Sequence, residues 1–280
     1  MEFKTLKNID LEELLSVFNH SFSDYVIPFH LTREILDFKI ATEKIDLSLS
    51  VGAFEDDCLV AFILQAEKIE NGRGTVYNAG TGVIPESRGK GLVRKMYDFI
   101  IPVLKERNIN TLLLEVIDNN QQAIRAYENL GFTIVRRLLC FHGNTNQAHH
   151  NSEVIIKELA DFQWEKFSSF WDVEPSWQGS AFVVKDMKKN CIILGAFKDE
   201  KLVGYVVYNS TVRKVYQIAV DKNHRRQGIG SILFEVIKNN INGQPISLNN
   251  VDEISEDTAI FLQKIGLNNH VSQFEMKRSI

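Results

Sequence analysis

Apolar positions along the chain switch between helical and strand spacing in a fixed order. "LEELLSVF" from Leu11 has helical spacing, with Asp10 placed to cap it and Glu13 at the capping-box position. "REILDFKIA" reads as a second helix behind a Thr32 cap. "GAFEDDCLVAFIL", from Gly52, has β-prone residues on both sides of an acidic turn and predicts a hairpin. A central strand, "GTVYNAGTGV", then runs into a basic, glycine-containing loop and a helix. Pro102 lies inside that helix and is expected to kink or locally open it. "NTLLLEVI" reads as a buried strand, and "NQQAIRAYENLGF" as a helix ending at Gly131.

The same order returns in the second half. "GAFKDEKLVGYVV", from Gly195, matches the first hairpin at six of thirteen positions, offset by 143 residues. "VDKNHRRQGIGSILFEVI", from Val220, aligns without gaps on "VIPESRGKGLVRKMYDFI", from Val83, offset by 137. Ile229, Ile232, Leu233, Val236 and Ile237 form one face of its helix. Two ordered matches at similar offsets imply a duplicated domain of ordinary size. The expected division is 1–143, a linker over 144–152, and 153–280. The polar run "HGNTNQAHHNS" suits that linker; His142, His149 and His150 in or near it lack an acid or cysteine to complete a metal site, so no metal is expected.

Composition narrows the classes. The 280 residues are 44% hydrophobic and 24% charged, as in a soluble globular protein, and the net charge is −4. Neither nucleic acid nor an anionic membrane is therefore a default partner. Three scattered cysteines with no CxxC argue against a disulfide framework or zinc site. No apolar run approaches a membrane span, and the first residues do not read as a signal peptide, so a cytoplasmic protein is expected.

The chemistry concentrates in "AVDKNHRRQGIG", residues 219–230, where a strand becomes a helix. Such a turn points the unpaired amides of the first helical turn into one concavity, reinforced by the helix dipole. Glycines allow close approach, and Arg225 and Arg226 would add charge-assisted bonds, so the loop suits a pyrophosphate. A surface turn with ordinary charges reads equally well from the loop alone. "GIGSIL" lacks the third glycine of a dinucleotide fingerprint, and no Walker loop is present.

"V-x-P-x-x-R-G-K-G-L" followed by "N-x-x-A-I-x-x-Y-E-x-L-G-F" resembles the GCN5-related N-acetyltransferase (GNAT) superfamily. The family's loop pattern, [Q/R]-x-x-G-x-[G/A], is met in the second copy by Arg225, Gly228 and Gly230. The first copy has Arg88 and Gly91 but Val93 at the last position. Asn120, Ala123, Tyr127, Gly131 and Phe132 match the later motif in the first copy. The resemblance implies an α/β fold of two tandem domains, each a mixed, mostly antiparallel sheet flanked by helices.

It also implies roles. Acetyl-coenzyme A would lie along Thr81, Gly82 and Val83 and the loop Arg88, Gly89, Lys90, Gly91, Leu92 and Val93, with Asn120 nearby. In the second copy the matching residues are Ile218, Ala219, Val220, Arg225, Arg226, Gln227, Gly228, Ile229 and Gly230. Tyr127 holds the position of the family's proton donor, and Glu115 is a candidate base. Leu262 and Ser255 stand where the second copy would need tyrosine and asparagine, so the first copy is the favoured catalytic half. Asp24, Tyr25 and His30 lie in the loop that lines the acceptor site in this family. "FWDVEPSW", with Asp172 and Glu174, is its counterpart and is open to facing a cationic amine or to packing. The implied activity is acetyl transfer to a primary amine of a small molecule or peptide by direct attack. The rival is an acyl-CoA-binding or sensing protein without turnover.

Overall fold

The computed structural model describes residues 1–25, 30–70, 72–146 and 153–280. Its chain contacts divide into two compact units, Met1–Val135 with Glu275–Ile280, and Arg136–Phe274. These bounds differ from the division expected at 143 and 153. The sequence repeat marks where copies begin, whereas strand pairing decides to which body a segment belongs. Residues 147–152 of the expected linker, with His149 and His150, lie outside the described residues.

The first unit contains β1 (Glu2–Thr5), α1 (Leu11–Ser21), α2 (Arg33–Thr42), β2 (Val51–Glu55), β3 (Cys58–Glu70), β4 (Arg73–Val83), α3 (Leu92–Glu106), β5 (Ile109–Ile117) and α4 (Gln121–Glu128). Its strand order is β1-β2-β3-β4-β5, extended by the last residues of β12 (Asn268–Ser279), where the Ile280 amide donates to the Asn110 carbonyl at 3.1 Å. All described pairings are antiparallel except β4 with β5. Leu14, Phe18, Leu36, Phe54, Phe62 and Leu64 close the core between α1, α2 and the sheet.

Asp10 caps α1 by accepting the Glu12 amide at 2.9 Å. Glu13 does not complete a capping box; its carboxylate accepts the Leu59 amide on β3 at 2.9 Å and ties the helix to the sheet. α3 is a single helix that continues past Pro102 to Glu106. Its buried face, Met96, Tyr97, Ile100 and Leu104, holds the helix against the sheet on both sides of the proline.

The second unit contains most of β6 (Thr133–Gly143), then β7 (Ile155–Glu158), α5 (Trp164–Ser168), α6 (Ala181–Val184), β8 (Ile192–Lys198), β9 (Lys201–Asn209), β10 (Lys214–Val220), α7 (Ile229–Asn240), β11 (Ile246–Asp252) and α8 (Glu256–Lys264). Its order is β6-β11-β10-β9-β8-β7, again with one parallel pair, β10 with β11. Ile229, Ile232, Leu233 and Ile237 of α7 are buried as the helical face predicts.

Corresponding irregularities recur in both units. The hairpin turns Asp56-Asp57 and Asp199-Glu200 have positive φ throughout, the handedness that matches strand twist in a two-residue loop. The fourth strand is bulged at Ala79 in one unit and Tyr216 in the other. Each α-helix after the loop starts from a left-handed glycine, Gly91 at φ 70° and Gly228 at φ 80°.

Candidate active site

In each unit the parallel pair parts beyond the bulge. β4 and β5 pair from Gly74↔Ile109 to Asn78↔Leu114, with one register shift after Gly74, and β10 and β11 only from Lys214↔Ser247 to Val215↔Leu248. In the second unit the opening leads into a cleft of about 330 Å³. Ile218, Ala219, Val220, Arg225, Arg226, Gly228, Ile229 and Gly230, eight of the nine residues expected to hold coenzyme there, line it. The ninth, Gln227, accepts a bond from Lys198 Nζ at 3.4 Å.

The loop amides are available. Gly228 brings no side chain to cap α7, and the helix ladder starts with the Ile232 amide on the Gly228 carbonyl, so Ile229, Gly230 and Ser231 keep first-turn donors outside the ladder. The first unit repeats this: Gly91 gives α3 no side-chain cap, and the ladder begins at Lys95. By contrast Asp10, Thr32 and Asn120 cap α1, α2 and α4 with their side chains. A diphosphate fits a helix start of this kind, where the donors are concentrated and carry the positive end of the dipole.

The loop arginines are placed differently from the sequence expectation. Arg225 Nε donates to the Val220 carbonyl at 3.2 Å and its Nη2 to the Phe170 carbonyl at 3.1 Å, with the Asp172 carboxylate 2.7 Å away. Arg88 repeats the set, with Val83, Ser21 and a two-toothed pair to Asp24 at 2.6 and 2.8 Å. Each first arginine therefore pins a strand end to the end of the unit's first helix. Arg226 pairs with Asp257 and takes a left-handed backbone, φ 62°, where the first unit has Gly89 at φ 74°. The Arg88 bonds hold Asp24 below the usual carboxylate range, against desolvation. For Asp172 desolvation pushes upward, but Arg225 and Lys222 together outweigh it. A carboxylate so engaged is a weak base, so Asp24 is placed for anchoring.

The first unit collects a polar cluster at its opening. Asn78 Nδ2 donates to Thr81 Oγ1 at 2.7 Å and to the Tyr97 hydroxyl at 2.9 Å. Tyr127 is buried beside them; burial pushes its hydroxyl up, partly opposed by hydrogen bonding with Thr81 and Asn78, and it stays protonated at neutral pH. Glu115 Oε2 accepts from the Tyr77 hydroxyl at 3.0 Å. Tyr77 and Asn78 are consecutive on β4 and face opposite sides of the sheet, so the structure does not bring Glu115 and Tyr127 together on one face. Asn120 spends Oδ1 on the Ala123 amide at 3.1 Å as the cap of α4. A side chain at Gly82 would meet Phe62 at 2.5 Å, so that glycine serves packing. Lys90 stands 3.7 Å from Glu55, and Leu92, the first residue of α3, is buried. Tyr25 packs edge-on to Phe22, and His30 is exposed. Residues 26–29 of that loop lie outside the described residues.

All but the last residue of "FWDVEPSW" line the second cleft, and sequence reasoning missed the hydrogen-bonded chain behind its Trp171. Trp171 Nε1 donates to the Tyr205 hydroxyl at 2.6 Å, which donates to Gln217 Oε1 at 2.9 Å, and Gln217 Nε2 reaches the Gly179 carbonyl. Desolvation pushes the Tyr205 hydroxyl up. Glu174 lines the cleft with an exposed carboxylate.

The model of the Acetyltransferase (GNAT) family matches residues 10–132 and again 156–240. N-alpha-acetyltransferase 30 of Schizosaccharomyces pombe is 28% identical over 99 residues, 34% of this chain and 65% of that protein, just under two thirds of its length. The chain superposes over 99% of its length on 95% of a GCN5-related N-acetyltransferase from Sphaerobacter thermophilus, TM-score 0.76 at 14% identity. It also superposes over 99% of its length on 98% of a tandem GNAT protein from the clavulanic acid biosynthesis pathway, TM-score 0.73 at 11% identity. Among the described residues no helix is long and apolar enough to cross a membrane.

Proposed function

This chain belongs to the acetyltransferase (GNAT) family as a tandem, two-domain member, and on that premise we propose that it moves an acetyl group from acetyl-coenzyme A to a primary amine of a small molecule or peptide. The observation that carries the reading is the cleft of the second unit, where the parted strands meet a helix start with bare amides. The Ile229, Gly230 and Ser231 amides hold the pyrophosphate, with Arg226 as the nearest added charge. Main-chain groups of Ile218, Ala219 and Val220 take the pantetheine arm as a further strand would be taken.

The acyl carbon then lies in the opening between β10 and β11. The amine lone pair forms the new C–N bond as the C–S bond breaks, the thiolate departs with the C–S pair, and the ammonium proton leaves to water or a nearby carboxylate. Leu262, fully buried, stands in place of an acid there. A thiolate, whose conjugate acid ionises near about pH 8.5, leaves without one. Glu174 and the Trp171 wall receive the cationic acceptor, whose ammonium gives one proton to water or to a nearby carboxylate before its lone pair can attack, and a second after the C–N bond forms.

A second reading rests on Tyr127. Its protonated hydroxyl beside Thr81 suits a proton donor to the departing thiolate, which makes the first unit a second transfer site, with water rather than Glu115 taking the amine proton. Thiol release from acetyl-coenzyme A, followed across a panel of amines and peptide amino termini, tests the function. Acceptor-dependent release is expected. Tight coenzyme binding with no release across the panel overturns transfer in favour of a sensing protein.

A further inference from the structure

We infer that Asn250 of the second unit is a hydrogen-bond donor to the acyl carbonyl oxygen in the cleft, a role resting on the coenzyme reading above. β11 pairs with β6 at Leu248↔Phe141 and resumes at Val251↔Leu139, so Asn249 and Asn250 together stand opposite Cys140. Two residues against one is a β-bulge, which turns a side chain away from its regular direction. Asn250 sits in it at φ 63°, a left-handed backbone inside a strand. Such strain persists where the surroundings impose it, and it gathers at working sites.

The bulge is an insertion relative to the sibling strand. Leu114 and Leu248 pair with corresponding residues of the parallel neighbour, Asn78 and Val215. The next helix cap, Asn120, comes six residues after Leu114, whereas its counterpart Ser255 comes seven after Leu248. The extra residue falls where the first unit carries Glu115. One unit thus offers a carboxylate at this place and the other an amide.

The amide is oriented. Asn250 Oδ1 accepts from Gln273 Nε2 at 2.9 Å, and Gln273 also approaches Cys140 Sγ at 3.6 Å. With the oxygen so held, Nδ2 is the amide atom left unpaired among the described residues, and it is itself buried. Asn250 is only 8% exposed, lines the cleft, and its Nδ2 has no hydrogen-bond partner among the described residues. A buried donor left unsatisfied is costly, so its partner is expected to be a ligand. Two positions beyond the last β10–β11 pair, it stands where those strands have parted. An oxygen there gains electron density while the amine adds to the acyl carbon, and returns that pair to the carbon as the C–S bond breaks. A fixed N–H at that oxygen stabilises the crowded state more than the resting thioester.

Asn250→Asp keeps the shape and replaces the donor by a carboxylate, and Asn250→Gly keeps the positive φ as a variant that folds. Both are expected to lose about a hundredfold in kcat, with KM for acetyl-coenzyme A changed less than about threefold. A readout independent of turnover is calorimetry with acetyl-coenzyme A and free coenzyme A. The wild-type preference for the acetylated form disappears in both variants while free coenzyme A binds as before. Wild-type rates in a folded variant, or parallel loss of both ligands, overturns the inference. If the wild-type chain binds neither ligand, the coenzyme reading itself fails and this one falls with it.

Discussion

Gly230→Ala separates two explanations for the last glycine of the loop. A β-carbon there would stand 2.8 Å from Phe261 Cζ and 3.2 and 3.3 Å from its two Cε atoms. Phe261 is backed by Phe234, with ring centroids 5.9 Å apart, so the ring has little room to retreat except toward the cleft it lines. Overpacking of this kind costs about 1–3 kcal/mol. Alanine regains up to ~1 kcal/mol over glycine in a helix. The net expectation is a loss of ~1 kcal/mol, about 3 °C in Tm for a body of this size. The matching positions of the first copy hold Val93 and Ala126, a larger side chain at the helix start and only a methyl on the later helix. Phe261→Ala should therefore make Gly230→Ala harmless or favourable. Urea unfolding of the wild type, both single variants and the double variant measures this coupling. A stability for Gly230→Ala equal to wild type refutes the packing argument, as does a double variant within about 0.5 kcal/mol of the sum of the singles. In either case the glycine would be kept for the approach of a ligand.

Tyr127→Phe is expected to lower kcat by tenfold or more if the first unit transfers acyl groups, and to remove an alkaline limb lying above the ordinary tyrosine pKa of about 10; a wild-type rate eliminates that site from the chemistry. Asp24, depressed in the folded state by Arg88, contributes stability that is full above the ordinary aspartate pKa and vanishes as pH falls through the lowered folded value. Carboxyl carbon NMR should find its midpoint below that ordinary value, and one at or above it contradicts the pin. Gly228→Ala forces a side chain into φ 80° and should cost about 1–2 kcal/mol in thermal unfolding, so an unchanged melt would remove the left-handed cap from the account. Arg226→Gly, which imports the residue at the first unit's matching position, should weaken coenzyme A several-fold in calorimetry while the melt stays near wild type; unchanged affinity assigns the charge to Asp257 alone.

The hairpins, the central strands and the loop-to-helix turns were legible because each rests on a local rule: alternating apolar residues, a turn that tolerates positive φ, a glycine before a helix. The arginine pins were not, although "SFSD" from Ser21 and "SFWD" from Ser169 stand in the two copies and carry the signal. An arginine beside a phosphate loop reads as a phosphate ligand until the aspartate that occupies it is seen in space. Gly82 reads from sequence as a residue along the coenzyme and Gly230 as a ligand-approach glycine, yet a side chain at either would press on Phe62 or Phe261. The bulge at Asn250 was hidden because one inserted residue among "NNVD" leaves no mark in apolar periodicity. Val93 departs from the loop pattern; taken with Ala126, where the second copy has Gly230 and Phe261, it is the other half of a size exchange.

Residues 275–280 belong with the first unit, although the whole of the second lies between them and Val135. On the ribosome the earlier body must wait for nearly the entire chain to be made before the edge of β5 acquires its last neighbour, and until then that edge is open to strands of other molecules. Cutting the gene at the polar stretch near 144–152 to obtain separate halves would strand each fragment without a piece it needs: 1–143 without 275–280, and 153–280 without the segment of β6 that pairs with β11. Each unit thus draws its residues from both sides of that stretch.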